Sequence, residues 1–286
     1  MLYRRLRMTR IVLAYCGYVL ASAALSPLAA AAETSYYGQK AVQEITSRIA
    51  QKDCTGAVGD LKSALKKGFP EVALLAGSMY ENGICVARDW ERAVPFYIQA
   101  WQGGVSDGAD RLAAGYAAPG NGPDVAAALW WASRERDKAG KMHGVADCLP
   151  GADAVDDMDR FVTALQAWPQ ARLAACNYMI GVMSTISAEA KYPAMAYIYA
   201  VGGDVTVRFL PAVPRIDTQK GETREYAMMG AINAEKTQDR GTRSVGEFER
   251  MVRALADRAL RRYPQPAGIA ADTLVQTEYH FGIQYE

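Results

Sequence analysis

The sequence predicts an α+β protein: an N-terminal α-solenoid of helix-turn-helix repeats followed by a small α+β domain. Three observations predict it. Residue types recur at a spacing of 36 between residues 57 and 116, as in Ala57/Ala93, Gly68/Gly104 and Tyr80/Tyr116. Apolar residues in that half follow the i, i+3, i+4, i+7 spacing of a helix face. After Lys191 the pattern turns to strict alternation, clearest in the terminal stretch TLVQTEYHFGIQYE.

The first element is an export signal over residues 1–32. Arg4, Arg5, Arg7 and Arg10 precede an apolar run from Ile11 to Leu25, and Pro27 breaks it. Ala29 to Ala32 then offers small residues for cleavage before Glu33. The expected location is therefore periplasmic. The alternative is an uncleaved anchor, because residues 11–32 just suffice to span a bilayer; only then would the chain touch a membrane. Tyr15 stands where a lipobox before Cys16 wants a small residue.

Export changes the meaning of the remaining cysteines, Cys54, Cys85, Cys148 and Cys176. An even number in an exported chain points to two disulfides, with three pairings open. Buried free thiols are the alternative. Metal binding is disfavoured, since no C-x-x-C spacing occurs and histidines are scarce.

Residues 33–140 hold the repeats. DCTGAVGDLKSALKKG is the second helix of one unit, Glu71 to Gly104 is a whole unit, and Gly108 to about Arg136 is another. In the whole unit Ala73, Ala76, Gly77 and Tyr80 share a face, and small residues there let the next helix approach closely. Asn82-Gly83 stops that helix with a residue suited to positive φ. Asp89 caps or charges the start of the next helix, whose inner stripe is Ala93, Phe96, Tyr97 and Ala100. Past the second loop the offset falls to 35, as in Asp89/Asp124, Ala93/Ala128 and Phe96/Trp131.

At these residues the sequence resembles the Sel1-like repeat family. The resemblance rests on Ala73, Gly77, Tyr80, Gly83, Val86, Asp89, Ala93, Phe96, Tyr97, Ala100 and Gly103, with Cys85 in place of the second loop glycine. The copy from Gly108 departs from the pattern, with Ala113 where glycine is expected. The resemblance implies an α-solenoid used for protein contacts, with no chemistry of its own. In the helix-pair geometry, the helix from Glu71 to Asn82 runs antiparallel to the one starting after Cys54. Its end returns Cys85 to Cys54. Cys148 and Cys176 are then partners by elimination. They would tie a helical hairpin within residues 141–187, from about Asp153 to Trp168 and from Ala171 to Thr185, turning at Pro169.

Residues 188–286 form the last domain. Val205, Val207 and Phe209 alternate with Thr206 and Arg208 as a first strand. A second alternating run covers about Arg224 to Asn233. Ser244 and Glu247 read as a capping box before a stripe of Phe248, Met251, Val252, Leu255 and Ala259, and the last strand runs from Thr273 to Tyr285. The landmarks Tyr192, Pro193, Ala196, Gly203, Val205, Val207 and Phe209 sit at the spacing of the TonB C-terminal domain family, which this segment resembles. LRRYPQP resembles the end of that family's late helix. The segment from Leu210 to Thr223 is a departure, longer than the tight turn expected there. The resemblance implies a small sheet whose final edge strand receives an extended peptide from an envelope protein. Gln276, Glu278, His280 and Gln284, on its polar face, would select that peptide.

The chemistry-bearing residues add little. Charge is nearly balanced, with 32 Lys+Arg against 31 Asp+Glu, which leaves no field for nucleic acid. There is no G-x-S-x-G, H-E-x-x-H, Walker loop or dinucleotide fingerprint, so no cofactor, no metal and no catalysis are expected. Asp153, Asp156, Asp157 and Asp159 lack calcium-loop spacing and suit the first turns of a helix. Arg250, Arg253, Arg258, Arg261 and Arg262 read as the solvated side of an amphipathic helix. Trp130-Trp131 reads as packing between helices. His143 stands in a loop. The expected function is protein–protein interaction in the cell envelope. The alternatives are a TonB-type energy transducer, although the apolar segment has no histidine and no Pro-rich spacer follows, and an unrecognised periplasmic enzyme using Asp and Tyr side chains.

Overall fold

The computed structural model describes residues 36–134, 145–151, 154–193, 196, 201–225 and 234–282. They belong to one compact unit, Ala32–Glu286. The signal segment, His143, Asp153, Gln284 and the run 226–233 lie outside the described residues. Within them the chain is α+β, a run of helices followed by a three-stranded antiparallel sheet and one long helix. Among the described residues no helix is long and apolar enough to cross a membrane.

Local chemistry sets the helix bounds. α1 (Tyr36–Ala50) and α2 (Cys54–Leu65) form the first pair, and the Asp53 carboxylate accepts the Gly56 N–H at 2.9 Å to start α2. α3 (Pro70–Asn82) opens on a proline and stops at Gly83, whose φ of 68° is left-handed. α4 (Trp90–Gln102) and α6 (Val125–Ala132) each begin at an aspartate, with Asp89 accepting the Arg92 N–H at 3.1 Å and Asp124 that of Ala127 at 3.0 Å. α5 (Asp107–Ala117) lies between them. α7 (Met158–Gln166) starts later than the expected Asp153, because Asp157 caps it through the Arg160 N–H. α8 (Gln170–Glu189) runs back from Pro169.

Cys54 is bonded to Cys85 with an S–S distance of 1.99 Å, and Cys148 to Cys176 at 2.01 Å. Cys54 opens α2 and Cys85 follows the end of α3, which is the antiparallel return read from the sequence. Loops of 31 and 28 residues are each worth about 3–4 kcal/mol in the chain-entropy model. Such bonds persist in an oxidising compartment.

The sheet contains β1 (Val201–Leu210), β2 (Arg215–Glu225) and β3 (Val275–Phe281), in the order β2-β1-β3. Val205, Val207 and Phe209 are fully buried, opposite Tyr279, Thr277 and Val275 of β3. α9 (Ala234–Arg262) packs on this face through Phe248, Val252, Leu255 and Ala259. Two expectations are corrected here. The supposed long loop after Leu210 is a turn at 211–214 followed by β2, so the second strand starts nine residues before the expected Arg224. Ser244 and Glu247 do not start a helix; α9 begins at Ala234, and they fall inside it.

Among the described residues the hydrophobic core has three parts. Ile45, Ala57, Leu61, Val72, Ala76 and Met79 close α1–α3. Trp90, Ala93, Tyr97 and Leu112 join α4 to α5. The third and largest runs from α5 through α8 into the sheet and α9.

Candidate functional site

Two surfaces carry polar groups that the core does not require. The first is the outer edge of β3. Among the described residues β3 pairs only with β1, so one row of its backbone N–H and C=O groups faces away from the sheet. Gln276, Glu278 and His280 point to the face opposite the core and are exposed, while Val275, Tyr279 and Phe281 are buried. Of the four residues expected to select a peptide, Gln276 and Glu278 are exposed, with Glu278 Oε2 3.8 Å from His280 Nε2. His280 is engaged: its Nδ1 lies 2.9 Å from Asp204 Oδ1. Gln284 is outside the described residues.

Asp204 is 3% exposed although it sits on the polar face. A register shift lets it stand against two residues of β2, Gly221 and Glu222, because Gly203 pairs with Thr223 and Val205 with Lys220. A Cβ on Gly221 would come within 2.8 Å of the Asp204 Cβ, which only glycine avoids. Arg224 Nη2 reaches Asp204 Oδ2 at 2.5 Å, so the carboxylate is held from both sides. A buried anion needs such partners.

The second surface is a cleft of about 440 Å³ where four parts of the chain meet. Glu81 and Arg88 come from the end of α3 and its loop, Pro119 from the turn after α5, Glu189 from α8, and Arg258 and Arg262 from α9. Glu81 is 4% exposed. It accepts the Tyr97 hydroxyl at 2.6 Å on one oxygen and Arg262 Nη2 at 2.8 Å on the other. Glu189 is shared in the same manner between Arg111 and Arg258. Burial lowers the affinity of Arg262 for its proton, but Tyr263, Glu81 and Glu189 outweigh it and the net shift is upward. Beneath lies Tyr263, pushed up to about 12 chiefly by burial, with its hydroxyl on Ala114 O at 2.7 Å and Thr185 Oγ1 at 2.9 Å.

Comparisons with family models, with curated proteins and with solved structures find no match to this chain.

The other sequence candidates take structural places. Gly77 faces the Tyr97 ring, which a Cβ would approach to 2.5 Å. Gly83 ends α3, Asp89 caps α4, and Ala93, Tyr97 and Ala100 are fully buried. Tyr80 stacks on Phe96 with ring centroids 5.7 Å apart. Cys85 has a positive φ of 58°, in the left-handed region that favours glycine. Trp130 packs edge-on to Phe161 and Trp131 to Trp101, each pair at 5.3 Å. Asp157 is a helix cap, and Asp156 lies 4.0 Å from Arg134. Among the described residues no cluster of His, Cys, Asp or Glu is placed to hold a metal ion.

Sequence reasoning missed the cleft. Arg258 and Arg262 were expected on a solvated face, yet both turn to glutamates, and Arg262 meets a partner 181 residues away.

Proposed function

We propose that this is an exported envelope protein that binds other proteins. Its helical pairs serve as a scaffold of Sel1-like repeats, and its sheet is a strand-accepting module of the TonB C-terminal type. The observation that carries this reading is the edge position of β3, with polar Gln276 and Glu278 alternating with buried residues. An added strand takes affinity from main-chain hydrogen bonds and specificity from alternate side chains. Two disulfides suit the periplasm. The landmark residues also have structural work that suits the reading. Tyr192 donates to Val201 O at 2.5 Å and its ring packs edge-on to Phe248 at 5.2 Å.

The test uses adjacent prolines. Neighbouring N–H groups on a strand point to opposite edges. Of Thr277→Pro and Glu278→Pro, the variant that keeps the wild-type melting temperature is the one whose N–H faces outward. That variant is expected to lose the partners that the wild-type chain recovers from an envelope extract. Retention of every partner by that variant would overturn strand addition.

A further inference from the structure

We propose that the cleft lined by Arg88, Arg258 and Arg262 is a binding site for a small dianion, a dicarboxylate or a phosphate. It stands apart from the β3 edge and does not depend on it. The case starts from hydrogen-bond capacity. Both carboxylate oxygens of Glu81 have a donor, from Tyr97 and Arg262, and both of Glu189 have one, from Arg111 and Arg258. The donors are in surplus. Each guanidinium carries five N–H groups. Arg258 and Arg262 each use one within the protein. Arg88 uses two, and both go to neutral oxygens, Glu81 O at 3.1 Å and Asn121 Oδ1 at 2.9 Å. The cleft therefore presents positive N–H groups and engaged acceptors.

Charge points the same way. Three arginines line the cleft against two glutamates, and Arg111 shares Glu189 from outside the lining. Arg88 has no carboxylate partner among the described residues. Position adds a second constraint. The Arg262 side chain is only 27% exposed, and a half-buried cation with unused donors gains from an acceptor that replaces lost water. The walls are prearranged, because Glu81 is fixed by Tyr97 and Glu189 by Arg111, so the two arginines of α9 are held from below. A volume of about 440 Å³ suits a small ligand. Planar guanidiniums match carboxylate and phosphate oxygens two at a time.

Titration calorimetry on the full chain separates the two anions. The probes are succinate and inorganic phosphate, with succinamide as the neutral counterpart of the first. One anion is expected to bind with one-to-one stoichiometry, more weakly as salt rises, while succinamide does not bind. Arg88→Gln and Arg258→Gln alter exposed side chains and should keep the melting temperature. Each should weaken binding about ten- to a hundred-fold, the loss of a charged hydrogen bond. Arg250→Gln, on the exposed side of α9 away from the cleft, should leave binding unchanged. Binding of succinate alone assigns a dicarboxylate site, and of phosphate alone a phosphate site. Absence of binding by both anions overturns the proposal. So does binding that Arg88→Gln and Arg258→Gln leave intact.

Discussion

The two adjoining helix pairs, α3–α4 and α5–α6, share residue types at a spacing of 36 and then 35 but are filled differently. In the first, Gly77 admits the Tyr97 ring, and the Tyr97 hydroxyl donates to buried Glu81. At the offsets of 36 and then 35, the same three places in the second pair are Ala113, Ala117 and Ala132. All three are buried. Alanine stands at the glycine place where no ring faces it, and the acid is absent along with its hydrogen-bond donor. The second pair has its own consistent filling of small residues, and its outer side meets α8 and the large core. The difference in filling goes with a difference in neighbour.

The largest expected effect comes from breaking the first filling. Tyr97→Ala removes a fully buried ring and leaves Glu81 with Arg262 as its remaining side-chain partner. A loss of about 3–5 kcal/mol is expected in urea unfolding, as for other large-to-small changes in a core. Ala132 offers no equivalent side chain to remove, so the contrast between the pairs is itself the measurement. A loss below about 1 kcal/mol would mean that the ring slot is not a packed site.

Alkaline pH probes the same tyrosine without a cavity. Burial raises Tyr97 and Tyr279, and it pushes Tyr263 up to about 12. The unfolded value is near 10. A folded pKa above the unfolded one means that the folded chain keeps a proton that the unfolded chain has lost. The stabilisation is complete below about pH 10 and is lost as pH rises through the folded values. Each such tyrosine contributes a slope of about 1.4 kcal/mol per pH unit in that window. Urea midpoints followed upward from about pH 9 should fall, and Tyr97→Phe should flatten the fall. An unchanged slope would place the alkaline sensitivity elsewhere.

A double-mutant cycle tests whether the second filling is a coupled set. Ala132→Tyr overfills a tight place, at about 1–3 kcal/mol. Ala113→Gly alone costs about 1 kcal/mol of helix propensity. If the two positions face each other as Gly77 and Tyr97 do, the double variant is less destabilised than the sum, by at least about 0.5 kcal/mol. Additivity would show that the second pair is not built on the geometry of the first.

These contrasts also explain what was legible in the sequence. Both helix pairs could be read because a helix fixes its own neighbours by spacing, and the return of Cys85 to Cys54 follows from two adjacent antiparallel helices. β1 and β3 could be read because burial on one face forces alternation. β2 could not. Its sequence RIDTQKGETRE has one apolar residue, Ile216, which is only partly buried, and it also meets α9 through polar groups, Thr218 with Glu249 and Arg253. An edge strand that buries so little leaves no period to find. The early turns of α9 are hidden for a similar reason, since AEKTQDRGTRS carries no apolar stripe. The Arg262–Glu81 contact was invisible because nothing local to either residue names the other. The cleft is a product of the tertiary fold.

The smallest expected effect concerns what the two pairs retain. Asp89 and Asp124 occupy the same place at the offset of 35. Each accepts the N–H three residues on, at 3.1 and 3.0 Å, and so satisfies a donor that the helix leaves open. The bond is local, made between a side chain and its own first turn. It does not depend on whether the pair is filled by a ring or by methyl groups, or on what packs outside. Asp89→Ala and Asp124→Ala should therefore cost the same, about 1 kcal/mol each, read as a small drop in the urea midpoint at unchanged slope. Their double variant should be additive, because no partner is shared. Asn at either site should recover most of the loss, since its side-chain oxygen accepts the same N–H. A clear inequality between the two positions would mean that Asp89 gains from its ion pair with Arg92 at 3.1 Å. That pair is well exposed, so it is expected to add only a few tenths of a kcal/mol. Asp89→Asn beside Asp89→Ala separates the two contributions, because asparagine keeps the cap and removes the charge.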